Sequence, residues 1–186
     1  MSGLKLEPKR SALLVMDFQV PIVKMIPDAG LLDRTAAVPE KARAAGMPVV
    51  YVVVGFRPGF PEVSARNQIF SGVKARGGLD TTIHAQVAPL GQEPVVTKHR
   101  VGPFQGTDLE MILRACDAET LVLCGISTSG VVLSTVRYAS DADYRLVVLK
   151  DCCADPEPEV HACLMDKVFP RQATVTDSKD FRAALD

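Results

Sequence analysis

The chain is predicted to fold as a three-layer α/β/α domain in which a mostly parallel sheet of about six strands lies between two layers of helices. Short, dense apolar runs alternate with longer stretches whose apolar residues have helical spacing, a pattern typical of consecutive βαβ units. The chain has 186 residues, the size of one ordinary domain. Its sequence contains no internal repeat, low-complexity segment or linker. We therefore expect a single domain over residues 1–186.

The strands are predicted from short runs of apolar and β-branched residues. The first run, SALLVMDF, is dense enough for a strand that is buried on both faces, and the second is almost wholly β-branched. Turn residues bound each run. The six predicted strands are Ser11–Phe18, Pro48–Val54, Pro94–Thr97, Thr120–Cys124, Tyr144–Leu149 and Ala173–Thr176.

Helices are predicted between these strands. The predicted segments are Leu31–Ala45, Asp108–Cys116, a helix that begins near Gly130, and Glu157–Val168. Thr107 is expected to cap the second of these helices, with Glu110 as its capping-box partner. The segment from Gly55 to Gly78 is rich in Gly, Pro and polar residues, so we expect a long loop that covers a site or packs against another subunit.

Composition excludes several classes of partner. Lysine and arginine number 21 against 22 acidic residues, so a net charge of -1 gives no electrostatic reason to expect binding to nucleic acid or to an anionic membrane. No leader and no apolar run of about 20 residues is present, so a soluble, cytoplasmic protein is expected. The expected partners are a small molecule and further copies of the chain.

The cysteines and histidines are expected to have structural roles rather than catalytic or metal-binding ones. The five cysteines are odd in number and lack CxxC spacing, which argues against a disulfide framework or a zinc site. We expect most of them to be buried and unreactive. Because side chains alternate along a strand, at most one of Cys152 and Cys153 can face a crevice. His84 is expected in or just before a helix, His99 on the side opposite Lys98, and His161 on an exposed helical face.

Polar residues at three strand ends indicate a site. Asp17 lies at the end of the first strand, Lys98 at the end of the third, and the small-residue turn Gly125–Val131 follows the fourth. The carboxyl ends of parallel strands border one crevice, so we expect these residues to converge. A carboxylate beside an ammonium is suited to proton transfer, and a structural ion pair is the alternative interpretation.

The sequence resembles the isochorismatase-like hydrolase superfamily over nearly its full length. The matching segments are LLVMDFQ, VVTKHRVGPFQGTDLEMIL and LVLCGISTSGVVLSTVRYASDADYRLVVLKDCCAD. The resemblance implies the isochorismatase-like fold, a catalytic Asp17 with Lys98 as its partner, and a dimer or tetramer. It also implies a non-proline cis peptide near Ile126 and Ser127, in a turn with Thr128 that stabilises an oxyanion.

This sequence departs from the family pattern at the nucleophile. Family members of the cysteine hydrolase type use a cysteine at the position that Val131 occupies here, and valine cannot attack a carbonyl. Isochorismatases proper also lack the cysteine but have a glycine there. Ser127, Thr128 and Ser129 lie in the same turn, but no histidine partner is evident and turn hydroxyls usually bond to the backbone.

Other residues are expected to surround Asp17, Lys98 and Val131 in the site. Gln19, Phe56, Phe104 and Gly130 are predicted to bind the substrate. Four phenylalanines, Phe56, Phe60, Phe70 and Phe104, are candidates for apolar walls of the pocket, with ordinary core packing as the alternative for each. The loop after the second strand holds no histidine, so no metal site and no cofactor are expected. Two interpretations are open for Arg57 and Arg66: they bind an acidic substrate, or they are solvated loop residues.

Two functions follow from these assignments. The preferred one is hydrolysis of a small organic molecule without a covalent cysteine intermediate, with Asp17 as the acid or base and Lys98 as its partner. The other is a catalytically inactive family member that binds a small ligand or has a structural role, and Val131 is its main support.

Overall fold

One six-stranded parallel sheet organises the chain, and the computed structural model describes it over residues 4–186. The strands lie in the order β3-β2-β1-β4-β5-β6, and each neighbouring pair is parallel. Their bounds are β1 Ser11–Met16, β2 Val49–Val54, β3 Val95–Lys98, β4 Thr120–Ile126, β5 Arg145–Ala154 and β6 Thr174–Thr176. The chain therefore has the predicted α/β class.

Helices cover both faces of the sheet. They are α1 Val20–Val23, α2 Leu31–Ala44, α3 Gln68–Ala75, α4 Leu109–Ala115, α5 Leu133–Asp141, α6 Pro158–Cys163 and α7 Ser178–Ala183. Apolar side chains of α4 and α5 pack on one face, and those of α1, α2, α3 and α7 pack on the other. None of the helices in the described residues is long and apolar enough to cross a bilayer.

The alternation of side chains along β1 explains why its residues from Ala12 to Met16 are all apolar. Leu14 and Met16 point into the core beneath α4 and α5, whereas Leu13 and Val15 point into the core on the α2 side. Every residue of β1 is buried. The Ser11 hydroxyl, at the start of the strand, donates to the Glu7 carbonyl. After Ser11, a strand that contributes to both cores has no position for a polar side chain until it ends, immediately before Asp17.

β4 and β5 run further than predicted, by two and by five residues at their carboxyl ends. The fifth strand was predicted to end at Leu149, with Lys150 and Asp151 following it. Instead β5 continues through both residues, and their side chains bind partners outside the sheet. Lys150 pairs with Asp177, and the Asp151 carboxylate accepts hydrogen bonds from the Ser178 amide and hydroxyl at the start of α7. A register shift opposite Leu123 and Gly125 accompanies the extension.

Three local predictions differ in part from the structure. The predicted loop from Gly55 to Gly78 contains α3, whose first turn is capped by the Asn67 side chain. Thr107 does accept a hydrogen bond from the Leu109 amide, but Glu110 pairs with Arg114 instead of closing a capping box. The predicted helix over residues 157–168 is divided into α6 and a π-helical turn, Leu164–Val168.

Candidate functional site

A buried ion pair lies at the carboxyl edge of the sheet. The Lys98 Nζ atom is 2.9 Å from Asp17 Oδ2, and the two residues are 3% and 4% exposed. β2 separates β3 from β1 in the sheet, so the long lysine stem is what allows an ammonium on the edge strand to reach Asp17. The structure therefore brings together the two residues that were expected to converge.

The local backbone directs the Asp17 side chain. β1 ends at Met16, and Asp17 adopts a left-handed conformation with φ 59°, which aspartate tolerates better than most residues. Its amide still donates to the Val52 carbonyl at 2.8 Å. The second carboxylate oxygen, Oδ1, is buried and has no hydrogen-bond partner in residues 4–186. This oxygen is therefore the one left to exchange a proton with a bound molecule.

Burial and charge set the protonation of the pair. Burial is the larger influence and the Lys98 ammonium opposes it, so the pKa of the Asp17 carboxyl is raised to about 6. Lys98 also donates to the Arg100 carbonyl at 3.2 Å, which leaves one of its three N–H groups uncommitted.

A cavity of about 450 Å³ opens onto the pair. Its floor includes Asp17, Lys98, Ile126 and Val131, and α3 forms one wall. Most of the lining is hydrocarbon. Two exposed apolar residues, Met25 and Ile69, lie at its edge, 58% and 61% exposed respectively. The cavity can enclose a small molecule with a substantial apolar part.

The turn after β4 forms another side of the cavity. The peptide bond between Ile126 and Ser127 is cis, at the position that the resemblance implies. Ser127 and Gly130 line the cavity. A Cβ atom on Gly130 would lie 2.7 Å from Ser127 Oγ, a contact that real side chains do not make. Glycine at this position therefore leaves room for the Ser127 hydroxyl.

Val131 occupies the crevice side of this turn. Its side chain lines the cavity, although it is only 2% exposed and also contacts the core on the α5 side. Its carbonyl accepts a hydrogen bond from the buried Thr135 hydroxyl at 2.7 Å. The residue at the nucleophile-equivalent position is thus a hydrocarbon adjacent to the ion pair, and Gly130 next to it also reaches the cavity.

Two residues that were not predicted to belong to the site support this turn through hydrogen bonds. Asp155 Oδ2 accepts a hydrogen bond from the Ser129 amide at 2.8 Å, and Thr128 Oγ1 lies 2.8 Å from His161 Nδ1. His161 was expected on an exposed face, but it is half-buried, and burial lowers its pKa. Thr128 has its histidine partner after all. It is fully buried and does not line the cavity, so its hydroxyl supports the turn.

Three of the predicted substrate-binding residues lie elsewhere. The Gln19 side chain is buried, donates to the Val54 and Asp80 carbonyls, and accepts from the Val54 amide, so it joins main-chain segments. Phe104 stacks on Tyr138, with ring centroids 4.3 Å apart, and belongs to the core. Phe56 packs edge-to-face on Phe70, and it is Phe70 that lines the cavity.

The loop arginines and His99 are also outside the cavity. Arg57 pairs with Glu62 at 2.6 Å, and Arg66 is exposed. His99 points away from Lys98, with Nδ1 2.6 Å from the Gly55 carbonyl. Within residues 4–186, no group of three or more His, Cys, Asp or Glu side chains is arranged to hold a metal ion.

The cysteines contribute packing at this end of the sheet. Cys124, Cys152 and Cys153 are buried, and burial raises the pKa of each thiol, that of Cys152 to about 12. Cys152 and Cys153 point into opposite cores. These thiols are therefore poor nucleophiles at neutral pH.

Sequence reasoning named Phe70 as a possible pocket wall but missed α3, the helix that carries it. Four lining residues, Ile69, Phe70, Val73 and Arg76, lie on or just after a helix inside the segment predicted as a loop. The available signal was the apolar spacing of IFSGV after Asn67, a capping residue.

Comparison with known proteins agrees with this architecture. Residues 11–180 match the model of the isochorismatase domain. The chain is 33% identical over 192 residues to the uncharacterized isochorismatase family protein YecD of Escherichia coli O157:H7, covering 98% of this chain and 100% of that protein. It is 32% identical over 164 residues to the ureidoacrylate amidohydrolase RutB of Azorhizobium caulinodans, with coverages of 78% and 72%. The structure of an isochorismatase family protein from Burkholderia thailandensis matches with a TM-score of 0.84 at 27% identity, covering 99% of each chain. The chain belongs to the isochorismatase family of hydrolases.

Proposed function

We propose that the protein hydrolyses a small organic molecule without forming a covalent cysteine intermediate. The observation that carries the proposal is the buried Asp17–Lys98 pair on the floor of the cavity, with the Asp17 Oδ1 atom free of any hydrogen bond in residues 4–186. An ion pair is an expensive group to bury for stability alone, because desolvation of both charges offsets their attraction. Its presence beside a cavity supports a chemical role.

In the proposed reaction Asp17 acts as a general base at neutral pH. Its carboxylate removes a proton from a water molecule while the water oxygen attacks the electrophilic carbon of the substrate. The same carboxyl then returns that proton to the leaving group, so the net change is the addition of water across the broken bond. Proton transfer of this kind contributes about 10²- to 10⁴-fold.

Charge that develops on the substrate needs stabilisation from the surroundings. We assign this role to the uncommitted N–H of Lys98 and to the free amides of the turn from Ile126 to Val131. The Ser129 and Gly130 amides are not among them, because they already donate to Asp155 and to the Ser127 carbonyl. Preorganised donors in an apolar cavity stabilise an oxyanion more than water does, because they need no reorientation during the reaction. This supports a mechanism that depends on electrostatics and positioning.

The test measures substrate loss by mass spectrometry in a pool of small amides, carbamoyl compounds and isochorismate. Turnover by the wild-type protein that disappears in Asp17→Asn is the expected result. Asp143→Asn is a matched control, since Asp143 is also an aspartate with a left-handed backbone but is exposed. Turnover that survives in Asp17→Asn would contradict the proposed role of Asp17.

Val131 favours a second candidate function, a catalytically inactive member that binds a small ligand or serves a structural role. A hydrocarbon at this position is compatible with binding and supplies no nucleophile. If neither wild type nor Asp17→Asn consumes any compound of the pool, while a pool member still binds the wild-type cavity, this second function would replace the first.

We also propose that the protein is a cytoplasmic homodimer or homotetramer. The odd number of cysteines, with all five thiols free, is typical of a reducing compartment. The exposed Met25 and Ile69 side chains at the cavity edge are compatible with cover from another subunit. Sedimentation at a multiple of the 20.0 kDa chain mass would support the assembly, and a monomer at micromolar concentration would contradict it.

A further inference from the structure

The cavity contains a charged residue that the proposed reaction does not use. Arg76 follows α3 directly and lines the cavity together with Val73 and Leu79. Its guanidinium lies over the preceding helical turn, where Gly72 has no side chain, with Nη1 3.5 Å from the place that a Cβ atom would occupy. Arg76 is exposed, so its guanidinium lies at the solvent-facing rim of the cavity.

Arg76 makes no ion pair with any residue between Leu4 and Asp186. The other two charged groups of the lining, Asp17 and Lys98, neutralise each other. The cavity consequently carries one uncompensated positive charge on a wall that is otherwise largely apolar. Loop arginines elsewhere differ from Arg76, because Arg57 is paired with Glu62 and Arg66 does not line the cavity.

We propose that Arg76 is an anion-recognition residue and that the substrate is a small molecule with an apolar body and a carboxylate. The reacting group would lie at Asp17 and Lys98, the apolar body against Phe70 and Val73, and the carboxylate at the Arg76 guanidinium. A planar guanidinium binds a carboxylate through two parallel N–H donors, which fixes orientation as well as charge. This inference rests on the proposed function, since it assigns the substrate class of the same site.

The inference also explains the balance of polar and apolar groups in the lining. An apolar wall favours the hydrocarbon part of the ligand but does not orient it. One cation on the α3 side of the cavity, outside the Asp17–Lys98 ion pair, gives the ligand a preferred orientation. Neutral molecules of the same shape would lose the contact and bind in several orientations.

The test uses probes that a hydrolase cannot cleave, so that binding is measured apart from turnover. The probes are straight-chain methyl keto acids with two, three or four methylene groups, each compared with the primary alcohol of the same chain length. Dissociation constants are measured by calorimetry with the wild-type protein. We expect at least one keto acid to bind about tenfold more tightly than its alcohol, the usual effect of a hydrogen bond to a charged group.

Two variants assign this preference to Arg76. Arg76→Gln should abolish the preference for the carboxylate while leaving the affinity for the alcohol unchanged, and Arg76→Lys should retain part of it. Arg66→Gln is the matched control and should behave as wild type, since Arg66 is exposed and outside the cavity. The unchanged affinity for the alcohol shows at the same time that the variant is folded.

Three results would overturn the inference: no keto acid binds, keto acids bind no more tightly than their alcohols, or the preference survives in Arg76→Gln. Failure of the proposed function gives a different pattern. In that case the wild-type protein turns over no compound of the substrate pool, while the preference for carboxylates and its loss in Arg76→Gln are still observed.

Discussion

Burial and the Lys98 ammonium act on the Asp17 carboxyl in opposite directions. In an exposed ion pair the neighbouring cation would lower the carboxyl pKa, but here desolvation is the larger effect and the pKa rises to about 6. At pH 7 the group is therefore mostly ionised while it remains basic enough to accept a proton. A raised pKa and a free carboxylate oxygen are the two properties that a general base requires.

The pH dependence of turnover tests this assignment. Because the ionised carboxylate is the base, kcat/KM should rise as the pH increases through about 6 and then level off. Initial rates measured from pH 4.5 to 8 with one substrate from the pool would define the profile. A decrease in kcat/KM over the same interval would show that Asp17 acts as an acid.

A thiol at residue 131 reports on the environment of the cavity floor. In Val131→Cys, the adjacent Lys98 ammonium and the turn amides should favour the thiolate. We expect iodoacetamide to modify this thiol about tenfold faster than the half-buried Cys116, because the fraction of thiolate is larger. Mass spectrometry of the labelled peptides gives the rates.

Cys163→Ser is the background for this experiment, since Cys163 is exposed and would consume the reagent. The three buried thiols provide an internal reference for unreactive cysteines. Labelling at residue 131 as slow as at Cys124 would show that this side chain belongs to the core. Gly130 would then be the position equivalent to the nucleophile.

Among the elements, the turn between β4 and α5 depends on support from β5 and α6. Asp155, just after β5, accepts the Ser129 amide, and His161 on α6 contacts the Thr128 hydroxyl. Because β5 extends five residues beyond its predicted end, Asp155 reaches the level of the turn. The extension of this strand thus positions one side of the cavity.

Removing the Thr128 hydroxyl should loosen the turn. Thr128→Val keeps the shape of the side chain but leaves His161 Nδ1 without its partner, so we expect a loss of about 1 kcal/mol in the free energy of unfolding. The value of kcat/KM should fall as well, because the turn lines the cavity. Urea denaturation and initial rates measure the two effects.

Thr128→Ser is the matched control, because it retains the hydroxyl and should stay close to wild type in both measurements. If the Thr128→Val variant, like Thr128→Ser, hydrolysed substrate at the wild-type rate, the contact between Thr128 and His161 would have no part in shaping the cavity.

For the whole molecule, the raised pKa of Asp17 links stability to pH. The unfolded chain releases the proton near 3.8 and the folded protein near 6, so the folded state binds more protons between these values. The contribution of Asp17 is therefore fully present below about 3.8 and is lost as the pH rises through about 6. The expected loss is on the order of 1–3 kcal/mol.

Asp17→Asn isolates this contribution from those of the other titrating groups. The difference in unfolding free energy, wild type minus variant, should decrease from pH 4 to pH 7. Urea denaturation at several pH values provides the difference. An increase over this interval would mean that pairing with Lys98 outweighs burial and lowers the carboxyl pKa.

Sequence predicted the sheet because fully buried parallel strands are continuous apolar runs, as in β1 and β2. It also placed Asp17 and Lys98 correctly, since both follow such runs and parallel strands end at one edge. The end of β5 was missed because charged residues inside a strand can be accommodated by surface partners that are distant in the chain, as with Lys150 and Asp177.

The cavity wall was harder to predict because it depends on tertiary contacts. Whether Phe56, Phe70 or Phe104 reaches the cavity is decided by how the segments after β2 and β3 pack, and all three are equally apolar in sequence. Gln19 shows the same difficulty, since its distance from Asp17 in sequence fits a ligand-binding role and a main-chain contact equally well.

The Gln19 side chain has a consequence for how such proteins can be redesigned. Its single amide group bonds to Val54, at the end of β2, and to Asp80, so it joins both ends of the intervening segment 55–79 to the carboxyl edge of the sheet. That segment carries Arg76 and the α3 wall, whereas Asp17 and Lys98 lie outside it. Replacing side chains of this segment that face the cavity, such as Arg76, should therefore change which ligands bind while Asp17 and Lys98 keep their positions.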